Sequence, residues 1–102
     1  MGAEDFYTVS SGKNPEEAFK SAIDETRYEC GHRGYTGTIA EKNSFVSCSE
    51  NVFGSYQEAS DYAKNLIDES DDRVDNKWGP AGYVRFKNGT EVKFLFFGWA
   101  SS

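Results

Sequence analysis

The sequence has no long hydrophobic run, a single histidine and only two cysteines. No apolar stretch approaches the roughly 20 residues that a transmembrane helix needs. Residues 1–5 lack the basic and apolar regions of a signal peptide, and Phe6 stands where the myristoylation pattern requires Ser or Thr. We therefore expect a cytoplasmic protein that has no lipid anchor and keeps Cys30 and Cys48 as reduced thiols.

The sequence also lacks the motifs of common enzymes. Acyl transfer needs a nucleophile, a base and an orienting group, but His32 is the only histidine and no nucleophile elbow is present. The glycine motifs that bind phosphate are missing. Cys30, His32 and Cys48 offer at most three soft ligands, in no spacing typical of zinc, and Glu41 has no visible partner acid. The sequence therefore favours a non-enzymatic protein without a cofactor or a bound metal.

The charge balance limits the classes of partner. The chain carries 11 Lys and Arg residues against 17 Asp and Glu residues, so its net charge is -6. Nonspecific nucleic-acid binding is not expected, because that binding depends on clustered cations. With 102 residues, of which 16% are aromatic, the chain is predicted to form one domain, residues 1–102, with a core built largely from rings.

Capping signals predict two helices. Asn14 is typical of an N-cap, with Pro15 at the first helical position and Glu17 three residues after the cap. Ser55 and Glu58 form a second capping box, and apolar residues follow it at helical spacing. Each helix is therefore expected to begin at these caps and to bury one apolar face.

Short alternating segments between turn signals predict the strands. They are residues 6–10, 35–40, 45–49 and 83–97, of which the second and third form a hairpin and the last is a hairpin by itself. A three-residue loop at residues 87–89 places Val84 opposite Val92. The predicted fold is α+β, a single small domain in β-α-β-β-α-β-β order, with a mainly antiparallel sheet and two helices packed on one face.

The last hairpin leaves apolar side chains on both sides of the sheet. In the predicted register, one face carries Val84, Phe86, Val92, Phe94 and Phe96. The other face carries Leu95, Phe97 and Trp99, which are too apolar to be left in water. Three alternatives account for this second face: burial beneath residues 76–82, a homo-oligomer interface through Leu95, Phe97 and Trp99, or a ligand platform.

Two glycine-bearing segments contain the candidate binding residues. The first brings together one aromatic ring, two cations and two hydroxyl groups, namely Tyr35, Arg33, Lys42, Thr36 and Thr38. Cations bind phosphate, hydroxyl groups donate hydrogen bonds and aromatic rings stack on bases, so this set suits an anionic, ring-bearing ligand. In the second segment, Lys77 and Trp78 form a charged aromatic loop that could close over the first. The alternatives are a solvated strand and a Trp78 ring that fills the core.

A family resemblance rests on three stretches of the sequence. GYTGTIAEK at residues 34–42, DNKWGPAG at residues 75–82 and the ending FGWA at residues 97–100 resemble a family of small uncharacterised bacteriophage proteins. The resemblance covers most of the chain and carries no known site residue with it. It implies a phage-encoded accessory protein in the cytoplasm of a host cell, where such proteins often counteract host defence.

Two functional hypotheses follow. In the favoured one, the protein sequesters a nucleotide-like ligand with eight residues: Arg33, Tyr35, Thr36, Thr38, Lys42, Lys77, Trp78 and Trp99. In the alternative, it inhibits a host immune protein through the acidic residues 68–75 or through the terminal aromatic face. Neither hypothesis involves a membrane.

Overall fold

The computed structural model describes residues 2–30 and 37–101. Its elements are β1 (Ala3–Ser10), α1 (Pro15–Cys30), a short 3-10 helix (Ile39–Glu41), β2 (Phe45–Phe53), α2 (Tyr56–Asp68), β3 (Ala81–Asn88) and β4 (Glu91–Ser101). The α+β class, with two helices and a mostly antiparallel sheet, is as predicted. The 3-10 helix lies between α1 and β2, where the sequence predicted a second strand at residues 35–40.

Both helices begin at the predicted caps. The Asn14 side chain accepts a hydrogen bond from the backbone N–H of Glu17 at 2.8 Å. Ser55 Oγ accepts from the N–H of Glu58 at 3.3 Å, and the Glu58 carboxylate accepts in return from the N–H of Gly54 at 3.0 Å. These bonds join residues within four positions of one another, so the local sequence is sufficient to fix where each helix starts.

The sheet has the strand order β1-β4-β3-β2. β4 pairs antiparallel with β1 and with β3, whereas β2 pairs parallel with β3. The predicted hairpin of residues 35–40 and 45–49 is therefore wrong within the described residues. Thr38 accepts from the N–H of Ala40 at 3.2 Å and caps the 3-10 helix, a local bond that replaces a strand ladder. Residues 35 and 36 lie outside the described residues.

The two helices lie on opposite faces of the sheet, which corrects the prediction of one shared face. The α1-side cluster contains Phe6, Ala18, Phe19, Ala22, Ile39, Ala81, Phe94, Phe96 and Ala100. The α2-side cluster contains Cys48, Ala59, Ala63, Leu66, Ile67, Val74, Val84, Phe86, Leu95 and Phe97. Successive residues of a strand point to opposite faces. The apolar run of residues 94–97 therefore needs a cover on each side.

The cover of the second face is α2 together with Val74, rather than residues 76–82. Leu95 and Phe97 are 0% exposed, and Trp99 is half-buried against the same cluster. Leu95 and Phe97 of the predicted homo-oligomer interface are thus inside the fold, whereas Trp99 stays partly exposed. The two apolar faces of β4 are thus covered by the chain's own helices, one face by α1 and the other by α2.

The register of the last hairpin also differs from the prediction. Asn88 pairs with Glu91 and Val84 pairs with Leu95, so the loop is residues 89–90 instead of 87–89. Gly89 has a φ of 67°, the positive value that the first loop position of a tight hairpin requires. The predicted register was chosen to pair Val84 with Val92, but Val92 is 45% exposed and lies opposite Lys87 near the turn of the hairpin, whereas Val84 is buried opposite Leu95.

Candidate functional site

Lys42 is the buried charge around which the candidate site is organised. It follows the 3-10 helix directly, and its backbone N–H bonds to the carbonyl of Ile39 at 2.9 Å. Its side chain is 1% exposed, and Nζ donates to the carbonyl oxygens of Asn76, Lys77 and Gly79 at 3.3, 3.2 and 2.9 Å. An ammonium group has three N–H donors, so each of the three carbonyls can accept one.

The buried ammonium therefore holds in place the loop that contains its three acceptors. Burial penalises the charged form and lowers the pKa of Lys42 to about 8. The carbonyl oxygens offset part of the lost hydration, which is the condition for a buried charge. In this arrangement no N–H group of Lys42 is left for a ligand. The predicted direct contact with an anion is thereby replaced by a positioning role.

The segment that Lys42 holds, residues 76–79, is termed the Trp78 loop. Asn76 organises it, because its side chain accepts from the N–H of Trp78 at 2.8 Å and its carbonyl accepts from the N–H of Gly79 at 2.9 Å. The chain then enters β3, where the N–H of Ala81 bonds to the carbonyl of Ser44 at 2.9 Å. The loop is thus fixed by its own turn, by Lys42 and by the following strand.

Trp78 projects from this loop with 64% of its surface exposed. The alternative that Trp78 fills the core is therefore wrong. Lys77 Nζ lies 5.3 Å from the centre of the Trp78 ring and 3.4 Å from the carbonyl oxygen of Gly2. A cation at this distance interacts favourably with an indole ring. The loop therefore presents an exposed indole ring with a positive charge over one of its faces.

The remaining predicted site residues are distributed differently. Thr38 caps the 3-10 helix that leads to Lys42, and Trp99 packs against the α2-side cluster. Arg33, Tyr35 and Thr36 lie outside the described residues. The structure thus brings Lys42 to the backbone of Lys77 and of its neighbours in the Trp78 loop. Asn76 was not among the predicted site residues, although an Asn that begins a turn ahead of glycine and proline is a detectable signal.

The acidic segment 68–75 contains its own counter-charge. The Asp71 carboxylate bonds to the Arg73 guanidinium through both oxygens, at 2.9 and 3.0 Å, and accepts from the Arg73 backbone N–H at 3.0 Å. These bonds hold the pKa of Asp71 below its usual value. Arg73 also reaches the carbonyl of Cys48 at 3.4 Å. Asp71 and Arg73 therefore form a turn against β2, with Asp71 neutralised by its neighbour.

The described residues contain no group of three or more His, Cys, Asp or Glu side chains placed to hold a metal ion. Cys48 is 3% exposed within the α2-side cluster, and burial raises the pKa of its thiol. A buried neutral thiol is a poor nucleophile. Cys48 is therefore a packing residue.

The chain matches no protein-family model, no curated protein and no solved structure. Neither of its two described helices is both long and apolar enough to cross a membrane. The geometry of the described residues is therefore the basis on which a function can be argued.

Proposed function

We propose that this protein is a non-enzymatic binding protein that holds an anionic, ring-bearing ligand of the nucleotide class at the Trp78 loop. The observation that carries the proposal is the 64% exposure of Trp78 on a backbone segment fixed by three hydrogen bonds from Lys42. An exposed indole on a fixed backbone loses little conformational entropy when a partner binds. Such a residue is well suited to recognition.

Stacking and charge would share the recognition. A base stacked on an aromatic side chain contributes about 1–3 kcal/mol and places no strict demand on the identity of the base. The Lys77 ammonium, 5.3 Å from the centre of the same ring, is close enough to meet a phosphate attached to the stacked base. The ligand class follows from this combination of one ring and one cation.

The surfaces named for the alternative, inhibition of a host immune protein, give it less support. Asp71 in the acidic segment is already bonded to Arg73. Leu95 and Phe97 of the terminal aromatic face are fully buried. The proposed biological setting, sequestration of a nucleotide signal by a phage-encoded protein, rests on the family resemblance alone. Contributions from Arg33, Tyr35 and Thr36 stay predictions.

Tryptophan fluorescence tests the proposal directly. The chain has two tryptophans, so Trp99→Phe leaves Trp78 as the only indole. We expect saturable quenching of that indole by at least one member of a panel of linear and cyclic nucleotides, accompanied by a higher melting midpoint. Inorganic phosphate alone should produce neither effect, because it offers no ring to stack.

Two pairs of variants assign the binding. In the natural background, followed by calorimetric titration, Trp78→Ala should weaken nucleotide binding by about 5- to 150-fold, the equivalent of a stacking contribution of about 1–3 kcal/mol. Tyr28→Ala, which removes an aromatic ring 92% exposed on α1, should leave it intact. Lys77→Gln should weaken binding, whereas Lys87→Gln, on the exposed end of β3, should not. The proposal fails if no nucleotide quenches Trp78 or if the Trp78→Ala protein binds as tightly as the natural one.

A further inference from the structure

β1 lies at one end of the sheet with its outer edge toward α1. Its inner edge pairs with β4 over the whole strand, from Ala3 opposite Ser101 to Ser10 opposite Phe94. Within residues 2–30 and 37–101, no other strand pairs with β1. The outer edge of β1 is therefore a row of backbone N–H and C=O groups of the kind that pairs readily with another chain.

A groove of about 490 Å³ runs along this edge. It is lined by residues 5–9 of β1, by Glu25, Thr26 and Glu29 of α1, and by Gly37 and Thr38. Because consecutive strand residues point to opposite faces, a groove lined by five of them in succession follows the edge of the strand. A second groove, of about 260 Å³, shares Val9 and Glu25 with the first and adds Ser10, Ser11, Ser21 and Lys93.

The two grooves together are termed the β1 edge groove. Its lining follows residues 5–11 of the chain, which as extended backbone spans about 20 Å at roughly 3.3 Å per residue. The opposite wall is one side of α1, where Ser21, Glu25 and Glu29 recur at intervals of four residues. An edge strand facing a helix across a groove of this length is the geometry that accepts an extended peptide as an added strand.

The charge of the groove selects the kind of peptide. Asp5 of β1 and Glu25 and Glu29 of α1 are exposed acidic residues that line the first groove. Among the described residues that line the two grooves, Lys93 in the second groove is the one cation. The chain as a whole carries a net charge of -6, which adds to the attraction for a positively charged partner.

We propose that the β1 edge groove binds an extended, lysine- or arginine-rich segment of a partner protein, which adds a strand to the outer edge of β1. Main-chain hydrogen bonds to β1 would supply the alignment, and the carboxylates of α1 would select the basic side chains. No residue of the Trp78 loop lines this groove. The proposal therefore goes beyond nucleotide binding and stands or falls separately from it.

Synthetic peptides test the strand addition. The probe is a fluorescent octapeptide of alternating Lys and Val, with an alternating Glu and Val octapeptide as the charge control. A third peptide has the Lys–Val sequence with every backbone nitrogen methylated, so that its charge is kept and its backbone donors are lost. We expect saturable binding of the first, no binding of the second, and at least about a tenfold loss of affinity for the third.

Charge variants locate the binding. The double variant Glu25→Gln, Glu29→Gln should bind the Lys–Val peptide about fivefold more weakly, as expected for two exposed charge pairs. Glu69→Gln, Asp72→Asn removes the same number of charges from exposed residues beyond α2 and should bind as the natural chain does. Peptide binding should also slow amide hydrogen exchange in residues 5–9.

Three results would overturn the proposal. The first is the absence of binding by the Lys–Val peptide, and the second is equal binding of its methylated form, which would mean charge attraction without strand addition. The third is an equal loss of affinity for the Lys–Val peptide in both double variants, which would mean that the net charge of the protein, and not the groove, determines binding. Trp78→Ala should leave peptide binding unchanged, so failure here is distinguishable from failure of nucleotide binding.

Discussion

At the scale of single residues, the ammonium group of Lys42 holds the backbone of the Trp78 loop through hydrogen bonds. It is 1% exposed and is bonded to three carbonyl oxygens from residues 34 to 37 positions further along the chain. Hydrogen bonds to charged groups contribute about 1.5–3 kcal/mol each, and burial of the charge opposes them. The balance between these two effects depends on pH, because burial lowers the pKa of Lys42 to about 8 from its ordinary 10.5.

Comparison of the natural chain with Lys42→Met predicts a specific pH dependence. Between pH 8 and 10.5 the unfolded chain holds a proton on Lys42 that the folded chain has lost, so the free energy of unfolding rises with pH. Above pH 8, the free energy of unfolding of the natural chain should therefore rise relative to that of the variant, by at most about 1.4 kcal/mol per pH unit. At lower pH the difference between the two proteins should be constant.

Urea denaturation at a series of pH values measures this difference. Lys64→Met, which removes an exposed lysine of α2, should show no such gain. A difference between the natural chain and Lys42→Met that stays constant or shrinks as pH rises above 8 would contradict a lowered pKa for Lys42.

Among the elements, the turn between β3 and β4 tests the corrected register. Gly89 has a φ of 67°, and an added Cβ would meet nothing within 4 Å, so only backbone strain opposes substitution. Gly89→Ala should reduce the free energy of unfolding by about 1–2 kcal/mol. Gly89→Asn should cost less, since asparagine tolerates positive φ better. Urea denaturation of both variants decides the matter, and equal losses would argue against strain at this position.

At the scale of the whole molecule, both faces of the sheet are covered, so a side chain added within one of the buried clusters should destabilise the fold. Gly82 lies where β3 passes beneath the α2-side cluster, and an added Cβ would approach Val74 Cγ1 to 2.6 Å, Cys48 Sγ to 2.8 Å and Phe97 Cζ to 3.1 Å. Gly82→Ala should therefore destabilise the protein by about 1–3 kcal/mol through overpacking. Removal of the Val74 methyl groups should relieve part of that cost.

A double-mutant cycle measures the relief. The loss of unfolding free energy in Gly82→Ala, Val74→Ala should be smaller than the sum of the two single losses by at least about 0.5 kcal/mol. Gly54→Ala is the control, because its added Cβ would meet Glu58 at an ordinary 3.4 Å. Strict additivity would mean that position 82 and the Val74 side chain are not in close contact within the α2-side cluster.

The sequence by itself determined the features that depend on short-range contacts. Asn14 and Ser55 bond to backbone N–H groups three residues away, which is why both helix starts were predictable. The aromatic composition and the order of helical and strand patterns were sufficient for the α+β class. The sequence also marked Lys77 and Trp78 as a charged aromatic loop, although it left the position of the Trp78 ring open.

Only the tertiary structure decided the features that depend on distant partners. The opposite placement of the two helices follows from the apolar run of residues 94–97, whose two faces need separate covers. The role of Lys42 follows from carbonyl groups more than 30 positions away. Local patterns carry no record of such partners, because burial and long-range hydrogen bonds exist only once the sheet is assembled. Lys42, which the sequence predicted as a ligand contact, instead holds the backbone of the Trp78 loop in place.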